Sequence, residues 1–343
     1  MKTRAKTSEQ LLIDQCANMR PSGRVLASSL GRAQLAQTIA PMDDVTQVDC
    51  LFLDLYRANL ALAEAEGENL NILCQPDAPQ EQYDLAVMPL GRQGEAELVR
   101  EQLQEFFDRL LVGGHLWVSV DNPTDKWVRQ QLERFDVKIT TKRSDQAIAY
   151  FCTKLKPLAK RKNYDCEFAF RDKGRLIKAF SRPGVFSHRR IVSGARHLID
   201  SMQIEAGCRV LDIGCGSGTV SVAAALRSDN IHVTSIDSHT RAVQATQETA
   251  RRNEQDNVAA QLTDSGRIDQ EASYDLVVAN PPYYADFRVA SFFIDTAFRA
   301  LCSGGHLLVV GKDQQWYEQK LPELFRDVSV QKVKGYVIGS ATR

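Results

Sequence analysis

The 343-residue chain has no excess of charge of either sign: 43 lysines and arginines balance 43 aspartates and glutamates. That balance excludes a generally basic nucleic-acid binder, so any positive footprint must be local. No apolar run approaches the roughly 20 residues a membrane-spanning helix needs, and the polar N-terminus lacks the apolar core of a signal peptide. Eight cysteines occur without one Cys-x-x-Cys spacing, and the six histidines form no ligand-spaced cluster. No metal is expected from such a pattern. The absences together predict reduced, structural thiols in a cytoplasmic protein without a membrane partner. What remains is 43% hydrophobic and 25% charged, the composition of a globular protein, with length enough for two domains.

Within that frame two short segments carry chemistry. The first is Val210-Leu211-Asp212-Ile213-Gly214-Cys215-Gly216-Ser217-Gly218. Arg209 to Leu211 reads as a buried parallel strand, and Thr219 to Leu226 as the helix after it. The alternating glycines permit a tight turn and let a ligand approach the backbone. Asp212 precedes them and Thr219 stands where a third-glycine position is expected, so the spacing departs from the dinucleotide fingerprint. A second strand, Ile231 to Ile236, ends in Asp237, whose carboxylate can accept from both hydroxyls of a ribose. Cys215 lies in the loop but has no neighbouring base, and it is read as a small turn residue.

The second segment is Asn280-Pro281-Pro282-Tyr283, which closes a buried strand over Tyr274-Asp275-Leu276-Val277-Val278-Ala279. The carboxyl edge of an open α/β sheet is where ligands bind. Two prolines stiffen the turn and remove two backbone donors. The Asn280 side-chain oxygen and the Pro281 carbonyl can then accept from one amine, and Tyr283 offers a flat face for stacking. This suits attack by a planar, conjugated nitrogen, whose delocalised lone pair makes it a poor nucleophile. Positioning and fixed dipoles carry such a reaction without a strong base.

The first segment resembles the leading motif of class I S-adenosylmethionine-dependent methyltransferases. That resemblance implies that Asp212, Gly214, Gly216 and Gly218 cradle S-adenosylmethionine. It implies that Asp237 holds the ribose and that Asp264 sits near the adenine amine. The second segment resembles the catalytic tetrapeptide of methyltransferases acting on exocyclic amines of adenine or guanine and on glutamine side chains. By it Asn280, Pro281, Pro282 and Tyr283 are the catalytic set.

The chain also repeats itself. Tyr83-Asp84-Leu85-Ala86-Val87 matches Tyr274-Asp275-Leu276-Val277-Val278, and Gly113-Gly114-His115-Leu116 matches Gly304-Gly305-His306-Leu307, both at a displacement of 191 residues. Trp127 and Trp316 follow at nearly the same distance. Where the second copy has Asp212, Gly214 and Asn280, the first has Ala27, Ser29 and Pro89. The expected fold is therefore α/β: two tandem Rossmann-like methyltransferase sandwiches with mostly parallel sheets, the N-terminal one degenerate. Residues 1–153 form that structural or substrate-binding domain and 180–343 the catalytic one. Between them, 154–179 reads as a basic linker. From Lys154 to His197 there are 13 lysines and arginines against 3 acids, a positive stretch able to meet the phosphates of a nucleic acid.

Inside it, Pro183-Gly184-Val185-Phe186-Ser187, a few residues before Gly194-Ala195-Arg196-His197-Leu198, closely resembles the ribosomal RNA guanine 2-amino methyltransferases of small-subunit type C and their large-subunit relative type G. Those proteins pair a degenerate N-terminal methyltransferase-like domain with an active C-terminal one. The likeness implies that Phe186 and Ser187 line the cofactor or base pocket, and that the partner is ribosomal RNA or a ribosomal subunit. Members of that family often carry Phe where this chain has Tyr283, and an Arg-Asp pair where it has His188-Arg189. The expected activity is methyl transfer to the 2-amino group of a guanine in ribosomal RNA, by a monomer. Protein glutamine or DNA adenine as acceptor, and a non-catalytic RNA-binding assembly factor, stand as alternatives.

Overall fold

The structure, a computed structural model, describes residues 4–268, 271–282 and 287–343. The chain divides into two compact units, one ending at Tyr164 and the other beginning at Asp165. The first runs α1 (Thr7–Met19), β1 (Gly23–Ser28), α2 (Gln34–Ile39), β2 (Val45–Phe52), α3 (Leu55–Leu62), β3 (Leu70–Cys74), β4 (Tyr83–Leu90), α4 (Ala96–Arg109), β5 (Leu110–Val120), α5 (Trp127–Leu132), β6 (Thr140–Arg143) and β7 (Ile148–Thr153). The second opens with a hairpin, β8 (Cys166–Asp172) and β9 (Arg175–Ser181). It continues with α6 (Ser193–Ser201), β10 (Arg209–Ile213), α7 (Thr219–Ala225), β11 (His232–Asp237), α8 (Thr240–Arg252), β12 (Val258–Leu262), β13 (Tyr274–Ala279), α9 (Arg288–Ala300), β14 (Leu301–Gly311), α10 (Gln314–Lys320), β15 (Arg326–Val333) and β16 (Tyr336–Thr342).

Each unit holds one seven-stranded sheet. The orders, β3-β2-β1-β4-β5-β7-β6 and β12-β11-β10-β13-β14-β16-β15, are the same order written twice. The first five strands of each sheet pair in parallel, and the last two join antiparallel. Parallel strands are covered on both faces, which is why Val210, Leu211 and Ile213 of β10 and Leu276, Val277, Val278 and Ala279 of β13 are all apolar and buried. Val210, Leu276 and Val278 face one core, with α6 and α7; Leu211, Val277 and Ala279 face the other, with α9.

The repeated sequence motifs are structural. Asp84 accepts from the Arg24 N–H and Asp275 from the Arg209 N–H, both at 2.8 Å, tying β1 to β4 and β10 to β13. The guanidinium of Arg24 lies over the Tyr83 ring, and that of Arg209 over Tyr274, at 5.4 and 5.3 Å. A Cβ on Gly114 or Gly305 would come within 2.9 Å of a backbone oxygen of the preceding strand, so both copies need glycine there.

The stretch read as a linker, residues 154–179, is divided differently. The units part between Tyr164 and Asp165, and most of the remainder is the β8–β9 hairpin. Phe170 and Ile177 enter the core with Ala195, Ile199 and Val220. Asp172 pairs with Arg227 at 3.1 Å, both side chains nearly buried. The basic residues Arg171, Lys173, Arg175 and Lys178 remain exposed. Charge on the outward positions hides the alternation that marks a half-buried hairpin.

Candidate functional site

The glycine turn of the second unit leaves β10 at the carboxyl edge of the sheet. Gly214, Gly216 and Gly218 have φ of 76°, 55° and 73°, the left-handed region that a side chain makes costly. The Gly214 and Cys215 N–H groups donate to Ile236 O at 2.8 and 3.1 Å, which lashes the turn to β11. Asp237, ending β11, accepts from Gly216 N at 3.1 Å and from His239 N at 2.9 Å. Its carboxylate therefore shapes the turn, a role the sequence reading did not assign. Asp264 stands two residues past the end of β12, which pairs Leu262 with Asp237, so it reaches the same edge. A Cβ on Gly216 would meet only Phe186 O, at 3.8 Å, leaving the turn open on that side.

Asp212 is almost fully buried and accepts from Ser221 Oγ at 2.6 Å, and Ser221 is bonded to Ser235 Oγ at 2.9 Å. Burial is the main cause pushing its carboxyl up to about 7; the nearby Asp237 adds to the rise and the Ser221 hydrogen bond opposes it. The folded unit thus holds this proton more tightly than the unfolded chain, whose carboxyl titrates near 3.8. Its contribution to stability is complete below about pH 4 and is lost as pH rises through about 7. In the absence of ligand, the urea midpoint of the second unit should fall between pH 4 and pH 8 by the equivalent of about 1–4 kcal/mol. Asp212→Asn should flatten that slope, and an unchanged slope in the variant would assign the pH dependence elsewhere.

Phe186 and Ser187 lie in the segment between β9 and α6. Val185 anchors it against Ala242 and Ala245 of α8. The fully buried Arg241 donates to Pro183 O at 2.9 Å, and Arg182 to Gln244 Oε1 at 2.7 Å. Phe186 is 53% exposed with its carbonyl toward the glycine turn. Ser187 has φ 64° and turns its hydroxyl to Arg190 O, closing its own turn. Arg241 escaped sequence reading, because a helix arginine reads as surface. Cys215 is buried, its thiol pushed well up by desolvation, with Thr246 Oγ1 3.2 Å from its sulfur; it packs the turn and is no nucleophile.

The proline turn follows β13 directly. β13 is the hydrogen-bonded neighbour of β10, with Ile213 opposite Ala279. Asn280 thus emerges beside Gly214, one strand spacing or about 4.8 Å away. Asn280 is half-buried, Pro281 buried and Pro282 half-buried. Tyr283 lies outside the described residues. Next to the prolines is a cavity of about 280 Å³, walled by Pro281, Pro282, Phe287, Gly311 and Asp313. Phe287 stacks on Trp316 at 4.6 Å and 12°. Phe293, from the same helix, comes within 2.9 Å of a Cβ position on Gly214. The sequence reading used Trp316 only as a marker of the repeat and passed over the two phenylalanines, neither of which stands in a motif. A larger hollow, about 720 Å³, lies against the opposite edge, at Arg209, His232 and Tyr274. It touches the amino ends of the strands and none of the loop residues, so volume alone does not mark the site.

In the first unit the corresponding edge is filled by the chain itself. Glu9 of α1, fully buried, accepts from Ser29 Oγ at 2.9 Å and from Leu35 N at 3.2 Å. Ser119 Oγ, near the end of β5, donates to Ser8 O at 2.8 Å. Burial raises the Glu9 carboxyl above its ordinary range. Leu11, Leu12 and Cys16 complete the closure as part of that core. Among the described residues no cluster of histidine, cysteine and carboxylates has metal-binding geometry, and no helix is long and apolar enough to cross a membrane.

A family model described as "Methyltransferase small domain" matches residues 177–340. The uncharacterized protein YbxB of Bacillus subtilis is 33% identical over 198 residues, covering 55% of this chain and 96% of its own length. Ribosomal RNA large subunit methyltransferase G of Pseudomonas syringae pv. tomato is 33% identical over 159 residues, 44% of this chain and 42% of the relative. Ribosomal RNA small subunit methyltransferase C of Haemophilus influenzae is 30% identical over 166 residues, 45% of this chain and 47% of the relative. The matched region thus spans less than half the length of these two ribosomal RNA methyltransferases. A solved structure, that of the T. thermophilus 16S rRNA N2 methyltransferase in complex with AdoMet and guanosine, aligns with a TM-score of 0.82 at 21% identity, over 98% of this chain and 92% of its own. At that identity the likeness is one of fold.

Proposed function

The chain belongs to the methyltransferase small-domain family, and from that premise we propose that it transfers a methyl group from S-adenosylmethionine to the exocyclic 2-amino group of a guanine in ribosomal RNA. One observation carries the reading: the glycine turn with its two aspartates and the Asn280-Pro281-Pro282 turn leave adjacent strands at the same sheet edge. A cradle for a nucleoside and a clamp for an amine then stand side by side, as transfer between two bound molecules requires.

The residues fit the cofactor. The turn is open above Gly216, and the Asp237 charge adds to the cost of ionising Asp212, which a cationic ligand at that edge relieves. Asp212, Gly214, Gly216 and Gly218 would form its cradle, with Asp237 on the ribose, Asp264 beside the adenine, and Phe186 and Ser187 along the rim. When bound, it supplies an electrophilic methyl on a sulfonium. The protein's work is orientation: Asn280 Oδ1 and the Pro281 carbonyl accept the two N–H bonds of the guanine amine. That aims its lone pair, and Pro282 keeps the turn rigid. Tyr283 would stack the base. A paired guanine must leave its stack, at a cost of a few kcal/mol. No strong base is needed: once the nitrogen carries the methyl it is cationic and strongly acidic, and it gives up one proton to solvent water.

The first unit, its own pocket filled by α1, would serve as a structural or RNA-holding domain. The exposed basic residues of the β8–β9 hairpin would meet phosphates. A cytoplasmic monomer acting on ribosomal RNA or a ribosomal subunit completes the reading. The test is transfer of labelled methyl to ribosomal RNA from cells lacking the protein, followed by mass spectrometry of its nucleosides. One 2-methylguanosine, restored by the protein, is the expected result. Label found instead in adenine, or in a protein glutamine, would overturn it.

A further inference from the structure

The cavity beside the proline turn contains a side chain to which the amine clamp assigns no work. Asp313 follows β14, and β14 pairs with β13 so that Ala279 lies opposite Val309. The loop of Asp313 is therefore the neighbour, along the sheet edge, of Pro281 and Pro282, and all three line the same cavity. One oxygen of Asp313 is committed: Oδ1 accepts from Trp316 N at 2.9 Å and caps α10. Among the described residues the second oxygen has no hydrogen-bond or ion-pair partner. Phe287, its ring stacked on Trp316, lines the same cavity of about 280 Å³ and gives it a flat aromatic face. A planar heterocycle fits such a slot, presenting one edge to the strand ends.

Guanine presents there two adjacent donors, the 2-amino group and N1–H, followed by the acceptor O6. Adenine presents an acceptor at N1. A site with one acceptor set at Asn280 and Pro281 and another one strand over is complementary to two neighbouring donors and hostile to a donor next to an acceptor. Resting on the guanine reading above, we propose that Asp313 is a specificity-determining residue, its second carboxylate oxygen accepting from N1–H of the target guanine while its first holds α10 in place. In the degenerate first unit the position 191 residues earlier is Asn122, whose amide oxygen likewise serves a local turn, at Thr124 N, 3.2 Å.

The experiment compares methyl transfer to one RNA bearing guanine at the target position and to the same RNA bearing 2-aminopurine there. The analogue keeps the 2-amino acceptor of the methyl but has an N1 that accepts. Wild-type protein should prefer guanine. Asp313→Asn preserves the capping oxygen, since Asn caps helices as well as Asp, and presents an NH₂ donor to the base. The ratio of kcat/KM for guanine over 2-aminopurine should fall on the order of 10- to 100-fold, through loss on guanine and gain on 2-aminopurine. Asp313→Ser keeps a capping oxygen but is too short to reach the base, so it should bring the two substrates together. The fluorescence of 2-aminopurine riboside gives a second readout: guanosine should displace it from the wild type and fail to do so from Asp313→Asn. If the wild type methylates guanine and the ratio is unchanged in both variants, the role of Asp313 is refuted and the guanine reading stands. If the wild type methylates no guanine, that reading falls and this inference falls with it.

Discussion

Asn280→Ala is expected to lower kcat for methyl transfer by about 10²–10³-fold or more while leaving S-adenosylmethionine affinity within about twofold, as loss of one fixed group at a reacting centre commonly does. The separation follows from the sheet. The proposed cofactor cradle hangs on β10 and β11: Asp212 is locked to Ser221, and Asp237 to Gly216 and His239. Asn280 belongs to neither strand; it follows β13. Removing its amide deletes the proposed acceptor for the amine and leaves the Asp212–Ser221, Asp237–Gly216 and Asp237–His239 hydrogen bonds in place. Asn280→Asp retains an acceptor and should recover part of the rate, because the clamp needs an oxygen at that distance. Calorimetry for the cofactor and single-turnover transfer to ribosomal RNA measure the two halves separately. Turnover within about threefold of wild type in Asn280→Ala would falsify the clamp.

The second large effect is on folding. Gly218→Ala should destabilise the second unit by about 3–5 kcal/mol, summing a left-handed backbone cost with a steric one. The φ of Gly218 is 73°, and a Cβ there would lie 2.8 Å from Thr246 Cα and 3.0 Å from its Cγ2. Thr246 is fully buried in the middle of α8. It cannot yield by a rotamer, since its Cα is the atom struck. Thr246 Oγ1 also lies 3.2 Å from Cys215 Sγ and 3.3 Å from Gly216 O, so any retreat of α8 loosens the turn it supports. Hydrogen exchange read peptide by peptide should show protection lost in 165–343 and kept in 4–164. Equal loss in both would mean that the two units unfold as one.

The same numbers explain how much could be read in advance. The strands at 209–213 and 274–279 and the helix at 219–225 were legible because both-sided burial writes consecutive apolar residues and a turn writes glycine. The duplication was legible because Tyr-Asp and Gly-Gly recur for packing reasons that both copies share. The hairpin at 166–181 was not, since its outward lysines and arginines give the composition of a linker. The pairing of Phe287 with Trp316 was not legible, since a stack between residues 29 apart leaves no local pattern.

The sequence by itself determined the chemistry on offer: two aspartates around a glycine turn, an amide before two prolines, and a second copy with these removed. Those are properties of short segments, where spacing along the chain is spacing in space. Which of them meet, and what else joins them, was decided only by tertiary structure. β10 and β13 are some sixty residues apart and become neighbours through the crossover of parallel strands, and Asp313 reaches the proline turn because β14 takes the next place in the sheet. The burial that lifts Asp212 toward 7, and the α1 helix that fills the first unit's edge, likewise arise from packing against residues distant in the chain.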